Sequence, residues 1–292
     1  MYFERLDKKK TASNYICAFK HFKRFRGDQD IAIEDLTVGQ MKDFQSYLIG
    51  EGLRMNTISL YNRELRAVYN YALDEEIIQM DKRPFRKSFT GQEKTRKRAV
   101  DGGVVKRLAI LSLIDKEMLG FARDLFLFSI YMQGMPFIDM AYLKKEQVRN
   151  GCITYQRRKT NRQLRVKIHP QAQIIIDRYM VSDPGCPYLF PILYDPEKKT
   201  EREYSSALRV YNKRLDSLSS LLELDEPLTS YVARHTWASL ARQCGTSDTV
   251  ISEAMGHSHV GVTTIYLASL DIGMVAMANQ RVITSLFRKR IP

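Results

Sequence analysis

The chain has 292 residues, 44% of them hydrophobic, which is enough for two conventional cores. Its formal net charge of +13 and pI near 9.5 imply a polyanionic partner. No apolar run is long enough to span a bilayer, and the opening Met1-Tyr-Phe-Glu-Arg-Leu-Asp-Lys lacks the apolar centre of a secretory leader, so nucleic acid is favoured over a membrane. The four cysteines, Cys17, Cys152, Cys186 and Cys244, lie far apart without metal-ligand spacing; they read as reduced thiols of a cytoplasmic protein, and no structural metal is expected.

Residues 1–80 read as a helical domain. A first helix from about Thr11 to Arg26 carries Tyr15, Ala18, Phe19, Phe22 and Phe25 at helical spacing, with Lys20, Lys23 and Arg24 off that stripe and Gly27 as its stop. Thr37-Val-Gly-Gln40 is a capping-box pattern that opens a second helix burying Met41, Phe44 and Leu48. A third helix starts near Asn56, with Ile58, Tyr61, Leu65, Val68 and Ala72 on one face and Arg63 and Arg66 turned away. Aromatic stripes at this spacing are core far more often than base-stacking platforms. From Asp81 to Arg98 the periodicity stops, and Arg86, Lys87, Lys94, Arg96, Lys97 and Arg98 crowd around Pro84 and Gly91. This segment, 81–98, reads as a basic linker whose cations lie on phosphates.

Residues 99–292 read as a mainly helical domain with one β-hairpin. Helices are expected over about Gly103 to Ile114, Phe121 to Met132, Gln171 to Met180, Thr200 to Leu222, Ser230 to Gln243 and Asp248 to Met255, and again from Asp271. Between Gly151 and Ile168 apolar and polar residues alternate on both sides of a polar turn: Ile153 and Tyr155 share one strand face, and Leu164, Val166 and Ile168 another. Lys159 falls at the turn, and Arg157, Arg158 and Arg162 flank it as solvated cations suited to DNA backbone.

The chemistry concentrates further on. Arg234-His235-Thr236 is followed by Gly256-His257-Ser258 and, nine residues past His257, by Tyr266. A phosphodiester attacked in line develops charge on its non-bridging oxygens, which planar arginine forks and imidazole donors suit. A tyrosine nucleophile, with an ordinary pKa of roughly 10, needs such cations or a base beside it. Ser247 is placed to cap the helix from Asp248, and Gly256 to end it, so that His257 sits on a tight turn that aims it inward. Val262-Thr263-Thr264-Ile265-Tyr266-Leu267 reads as a short helix docked on the core.

Taken together, Arg234-His235-Thr236, Met255-Gly256-His257-Ser258 and Thr263-Thr264-Ile265-Tyr266 resemble the C-terminal signature of the tyrosine recombinase, or phage integrase, family. Gly134-Met135 with Asp139-Met140-Ala141, and Tyr231-Val-Ala-Arg-His-Thr-Trp237, are similar to its Bacteroidetes branch. The resemblance implies a mainly α fold with a small β-hairpin: an N-terminal helical, SAM-like core-binding domain that clamps DNA, and a C-terminal integrase-type catalytic domain. It implies that Tyr266 attacks a DNA phosphodiester, that Arg234 and His257 stabilise the transition state, and that Lys159 protonates the departing 5′-hydroxyl. Double-stranded DNA is the implied partner, held by a homotetramer on two sites in the bacterial cytoplasm, at the nucleoid. No cofactor is implied, because the 3′-phosphotyrosine link conserves the bond energy. The apolar tail from Val275 to Phe287 packs in cis or on a neighbouring subunit.

Two positions depart from the family pattern. The first catalytic arginine is missing: Pro136 and Gln133 occupy the slots where the family and its Bacteroidetes branch place it, and Arg123, on the preceding helix, is the candidate replacement. A histidine three residues before Arg234 is replaced by Tyr231, a hydrogen-bond donor but a poor base near neutral pH, so a water, His235 or His259 would have to handle the phenolic proton. The reading is a site-specific recombinase. A type IB topoisomerase-like enzyme and a catalytically impaired, sequence-specific DNA-binding protein remain the alternatives. With its clamp domain almost at the N-terminus, the chain reads as a short, invertase-like or Xer-like member, or as a fragment.

Overall fold

The computed structural model describes residues 9–93 and 98–257, in two compact units, Met1–Thr95 and Arg96–Pro292. In the first unit, helices α1 (Lys9–Phe25), α2 (Val38–Gly50) and α3 (Met55–Asp74) pack around Phe22, Met41, Phe44, Leu48, Ile58, Tyr69 and Ala72. The Phe22 and Phe44 rings meet edge-on, 5.1 Å between centroids. The capping box forms as expected: Thr37 Oγ1 accepts from the Gln40 N–H at 3.2 Å, and Gln40 Oε1 accepts from the Thr37 N–H at 2.9 Å.

Two faces differ from the sequence reading. Phe19 is exposed, and α1 buries Ala12, Ala18 and Phe22 instead. On α3 Val68 is exposed and its neighbour Tyr69 buried, because the inward stripe runs through Ile58, Asn62, Leu65, Tyr69 and Ala72, with the polar Asn62 fully enclosed.

Asn62 is enclosed because it holds the chain that follows. The segment expected as a linker over 81–98 is, as far as Glu93, a strap folded onto α2 and α3. Ile78 and Phe85 enter the core, and the Phe85 ring lies 6.0 Å from that of Tyr69. Beyond Phe85, polar side chains grip alternate residues of the strap backbone. Asn62 Nδ2 donates to the Phe89 carbonyl (3.0 Å), Gln45 Oε1 accepts from the Phe89 N–H (2.8 Å), and Ser59 Oγ donates to the Gly91 carbonyl (2.6 Å). Asn56 both donates to the Glu93 carbonyl and accepts from its N–H. The α3 side chains thus replace a partner strand, satisfying backbone groups that burial would otherwise strand.

In the second unit α5 (Glu117–Tyr131) is the central helix. It is apolar nearly all round, burying Leu125, Phe126, Leu127, Phe128 and Ile130, and four of the described helices pack against it: α4 (Gly102–Ile110), α7 (Pro170–Tyr179), α8 (Tyr204–Leu221) and α9 (Val232–Gln243). Between α5 and α7 come the short α6 (Phe137–Ala141) and an antiparallel sheet of β1 (Val148–Arg149), β2 (Cys152–Gln156) and β3 (Gln163–Lys167). The hairpin register pairs Ile153 with Val166 and Tyr155 with Leu164, all four buried, as the alternation predicts. A second ribbon, β4 (Tyr194–Asp195) with β5 (Thr200–Glu201), occupies the start of the helix expected from Thr200, so α8 begins at Tyr204. The last described helix is α10 (Asp248–Ala254), capped by Ser247 Oγ on the Val250 N–H at 3.3 Å. No described helix is long and apolar enough to cross a membrane.

Candidate active site

The site is built around one buried arginine. Arg234 projects from α9 and is 1% exposed, so its charge must be satisfied within the protein. Nη1 donates to the Gly134 carbonyl at 2.7 Å, and Nη2 donates to the Met255 carbonyl at 2.6 Å. Both acceptors belong to tight turns that follow helices. Gly134 ends α5 in the left-handed region (φ +70°), and a Cβ there would stand 3.2 Å from the Arg234 Cα, so glycine alone lets α9 come this close. Gly256, at φ +63°, closes α10 in the same way and turns the chain into His257.

His257 is 4% exposed, and its Nε2 lies 3.0 Å from Arg234 Nη2. A guanidinium can only donate, so Nε2 accepts and the ring proton sits on Nδ1. Burial, then the charges of Arg234, Arg157 and Lys159, pull the imidazole down to a pKa of about 3, which keeps it neutral at physiological pH.

The hairpin turn that carries Lys159 is joined to this pair. The turn between β2 and β3 is tied to the α10 turn by three side chains: Arg157 Nη1 donates to the Gly256 carbonyl (2.9 Å), Thr160 Oγ1 to the same oxygen (3.2 Å), and Arg162 Nη1 to the His257 carbonyl (3.0 Å). Asp139, on α6 and 3% exposed, accepts the Arg158 N–H on Oδ1 at 3.0 Å, while its Oδ2 faces Arg157 Nε at 3.9 Å. Burial pushes the Asp139 carboxyl above its ordinary pKa, against the pull of the Arg158 N–H and the neighbouring arginines. Tyr155, beside them, is driven well above its usual value by burial and by Asp139.

The structure therefore brings together Arg234, His257 and the turn bearing Lys159, and leaves Lys159 itself exposed. Arg157 differs from the solvated cation that the sequence suggests: it is 4% exposed and serves the hairpin from inside rather than lying on DNA backbone. The signal was in the sequence, since the period of two that buries Ile153 and Tyr155 carries Arg157 to the same face. Arg158 and Arg162 are exposed, Arg158 with its guanidinium 3.8 Å above the Tyr142 ring. Sequence reasoning also missed Asp139 as the residue that holds the hairpin.

Arg123 is spent elsewhere: its Nε donates to Asp124 Oδ1 and its Nη1 to the Leu111 carbonyl, both at 2.7 Å, in a network with Arg178 and Tyr179. Tyr231 is exposed at the N-terminus of α9, with its ring 5.1 Å from that of His235. Lys20, Lys23, Arg24, Arg63, Arg66, Arg86, Lys87 and Arg98 are all exposed, Lys23 in an ion pair with Asp28. Tyr266, His259, Lys94, Arg96, Lys97 and the apolar tail lie outside the described residues.

The family model described as "Phage integrase SAM-like domain" matches residues 2–89, and that described as "Phage integrase family" matches residues 107–271. The chain belongs to the phage integrase family. It is a tyrosine recombinase, an enzyme of site-specific DNA recombination.

The fold agrees with solved recombinases. A lambda integrase fragment, a dimer bound to a COC′ core site, superposes with a TM-score of 0.68 at 16% identity, covering 93% of this chain and 96% of that one. The Tn1549 transposon integrase in complex with transposon right end DNA gives 0.70 at 13%, covering 92% and 94%. A lambda integrase tetramer bound to a Holliday junction gives 0.70 at 16%, covering 91% and 75%. Comparison with curated protein sequences finds no match.

Proposed function

We propose that this recombinase cuts DNA by attack of the Tyr266 phenol on a phosphodiester. The Tyr266 oxygen–phosphorus bond forms as the bond to the 5′ oxygen breaks, leaving a 3′-phosphotyrosine. Arg234 supplies the fixed positive charge for the non-bridging oxygens. His257, as the neutral Nδ1–H tautomer, adds a donor without a second repelling cation. The Lys159 ammonium gives its proton to the departing 5′ oxygen. Tyr231 would donate a hydrogen bond to the phosphate, and a water, His235 or His259 would take the phenolic proton.

The observation that carries this reading is the enclosure of Arg234 and His257 at a junction to which the Lys159 turn is tied by three side chains. The described exposed cations, Lys20, Lys23, Arg24, Arg63, Arg66, Arg86, Lys87, Arg98, Arg158 and Arg162, are proposed to hold the phosphate backbone of duplex DNA. Assembly as a homotetramer on two sites, in the bacterial cytoplasm at the nucleoid, completes the reading.

A second reading, a sequence-specific binder with impaired cleavage, is favoured by one observation. Arg123 is engaged by Asp124 and Leu111, while Gln133 and Pro136 occupy the positions of the family's first arginine. One experiment separates the two. A duplex enriched from a randomised library by binding to the full chain is nicked to trap the covalent intermediate, then offered to wild type and to Tyr266→Phe. A protein–DNA adduct formed by wild type and lost in the variant is the expected result. Specific binding without adduct from wild type selects the second reading.

A further inference from the structure

We propose that Arg157 is a positioning residue for cleavage: it sets the Lys159 turn against the Arg234–His257 pair and so places the proton that the leaving oxygen receives. The inference rests on the reading of Lys159 as the acid.

A buried arginine two residues before an exposed lysine needs a reason, because burying a guanidinium is costly unless its donors are used. Arg157 joins three elements, the hairpin turn, the α10 turn and α6. Its backbone closes the turn, the N–H donating to the Arg162 carbonyl and the carbonyl accepting from the Asn161 N–H, both at 2.8 Å. Its side chain leaves the turn in two directions, Nη1 to the Gly256 carbonyl at 2.9 Å and Nε toward Asp139 Oδ2 at 3.9 Å. Neither Nε nor Oδ2 makes a hydrogen bond among the described residues. The pair is kept from closing by its other commitments, since Asp139 Oδ1 is fixed by the Arg158 N–H and Arg157 Nη1 by Gly256.

The far side is equally tight. A Cβ on Gly256 would stand 3.0 Å from Leu164 Cδ1 and 3.2 Å from Arg157 Cδ, so the α10 turn rests directly on the arginine stem. The residue before Gly256 gives its carbonyl to Arg234, and the residue after it is His257. Arg157 and Arg234 therefore grip successive carbonyls of one turn, and the position of Lys159 is referred to the arginine that would hold the phosphate. A guanidinium spreads its donors over three nitrogens in a rigid plane and so spans a carbonyl and a carboxylate at a fixed separation, whereas a lysine ammonium brings its donors to one nitrogen on a flexible stem.

Leaving-group chemistry tests this. A 5′-bridging sulfur at the scissile phosphate departs as a thiolate, with a conjugate-acid pKa of roughly 8.5 against roughly 16 for an oxygen leaving group of water-like basicity, and needs no proton from the protein. A residue that acts only by placing Lys159 becomes dispensable on that substrate; one that merely holds the fold does not.

The probe is the library-enriched duplex, its scissile position mapped with wild type and synthesised with oxygen or sulfur there. Single-turnover cleavage is measured for wild type, Lys159→Met, Arg157→Met and Arg157→Lys. On oxygen, Arg157→Met is expected to fall on the order of 100-fold and Arg157→Lys about tenfold. On sulfur, both are expected within about threefold of wild type, as is Lys159→Met.

Rescue of Lys159→Met without rescue of the Arg157 variants overturns the positioning role while leaving the acid in place. Failure of sulfur to rescue Lys159→Met overturns the acid itself, and the proposal with it. Arg157→Lys retains the buried cation opposite Asp139 and so keeps the test available if Arg157→Met does not fold; wild-type cleavage of the oxygen substrate by Arg157→Lys overturns the proposal.

Discussion

Each unit fastens an irregular segment to its helices, and the two do so with different chemistry. In the first, the strap up to Glu93 is held by neutral groups, Asn56, Ser59, Asn62 and Gln45, each exchanging ordinary hydrogen bonds with backbone. In the second, the turns at Gly134 and Gly256 and the hairpin turn are held by guanidinium groups, Arg234 and Arg157, both nearly fully buried. Neutral fasteners only place a segment. Buried cationic fasteners place it too, and are proposed to do more: Arg234 to meet the charge of the attacked phosphodiester, Arg157 to aim Lys159. Mutating the first kind should therefore cost stability alone, and mutating the second should cost stability and chemistry together.

The largest effect is expected at Arg234. Arg234→Met strands the Gly134 and Met255 carbonyls at a buried junction, and should cost about 3 kcal/mol or more in chemical denaturation. It should also lower cleavage at least about 100-fold. A stable variant with normal cleavage would erase the distinction between the units.

His257 comes next, and its effect depends on pH. Its folded pKa of about 3 lies below the ordinary 6.5. Between those values the unfolded chain holds a proton that the folded one does not, so stability rises with pH there and is lost as pH falls from 6.5 toward 3. The contribution is at most about 1.4 kcal/mol per pH unit. Denaturation of wild type and His257→Gln from pH 7.5 to 5 should show the steeper acid loss in wild type, and parallel curves would mean the imidazole charges freely.

Asn62→Ala in the first unit should cost about 1 kcal/mol for its bond to the Phe89 carbonyl. It should hasten proteolysis of the strap and leave the single-turnover cleavage rate of bound DNA unchanged. Replacing Arg86 and Lys87 together by alanine should do least to stability, and should lower the slope of log affinity against log salt by about 2. An unchanged slope would remove the strap cations from the phosphates.

Much of this contrast was legible in the sequence, and the illegible parts have physical reasons. The Thr37–Gln40 capping box, the hairpin register and the turn that encloses His257 are local, so short-range patterns determine them. The strap was missed because its anchors are non-local: Phe85 finds Tyr69, and Phe89 finds Asn62 and Gln45, across stretches that no helical or strand period connects. Asn62 was missed as a core residue because its enclosure makes sense only once the strap is present. Val68 was placed inward because neighbouring Val68 and Tyr69 offer two apolar stripes one residue apart, and packing chose the tyrosine. Composition cannot tell Arg157 from the solvated Arg158, whereas the strand period that buries Ile153 and Tyr155 does. The two-residue strands β4 and β5 are too short for any period to announce.

The central claim is that the Arg234–His257 junction serves a tyrosine nucleophile at position 266. Trapping wild type on the nicked duplex, digesting it and sequencing the nucleotide-bearing peptide by mass spectrometry tests that claim directly. A 3′-linked nucleotide on Tyr266 is expected; a nucleotide on any other residue, Tyr231 included, would mean that the junction serves a different nucleophile.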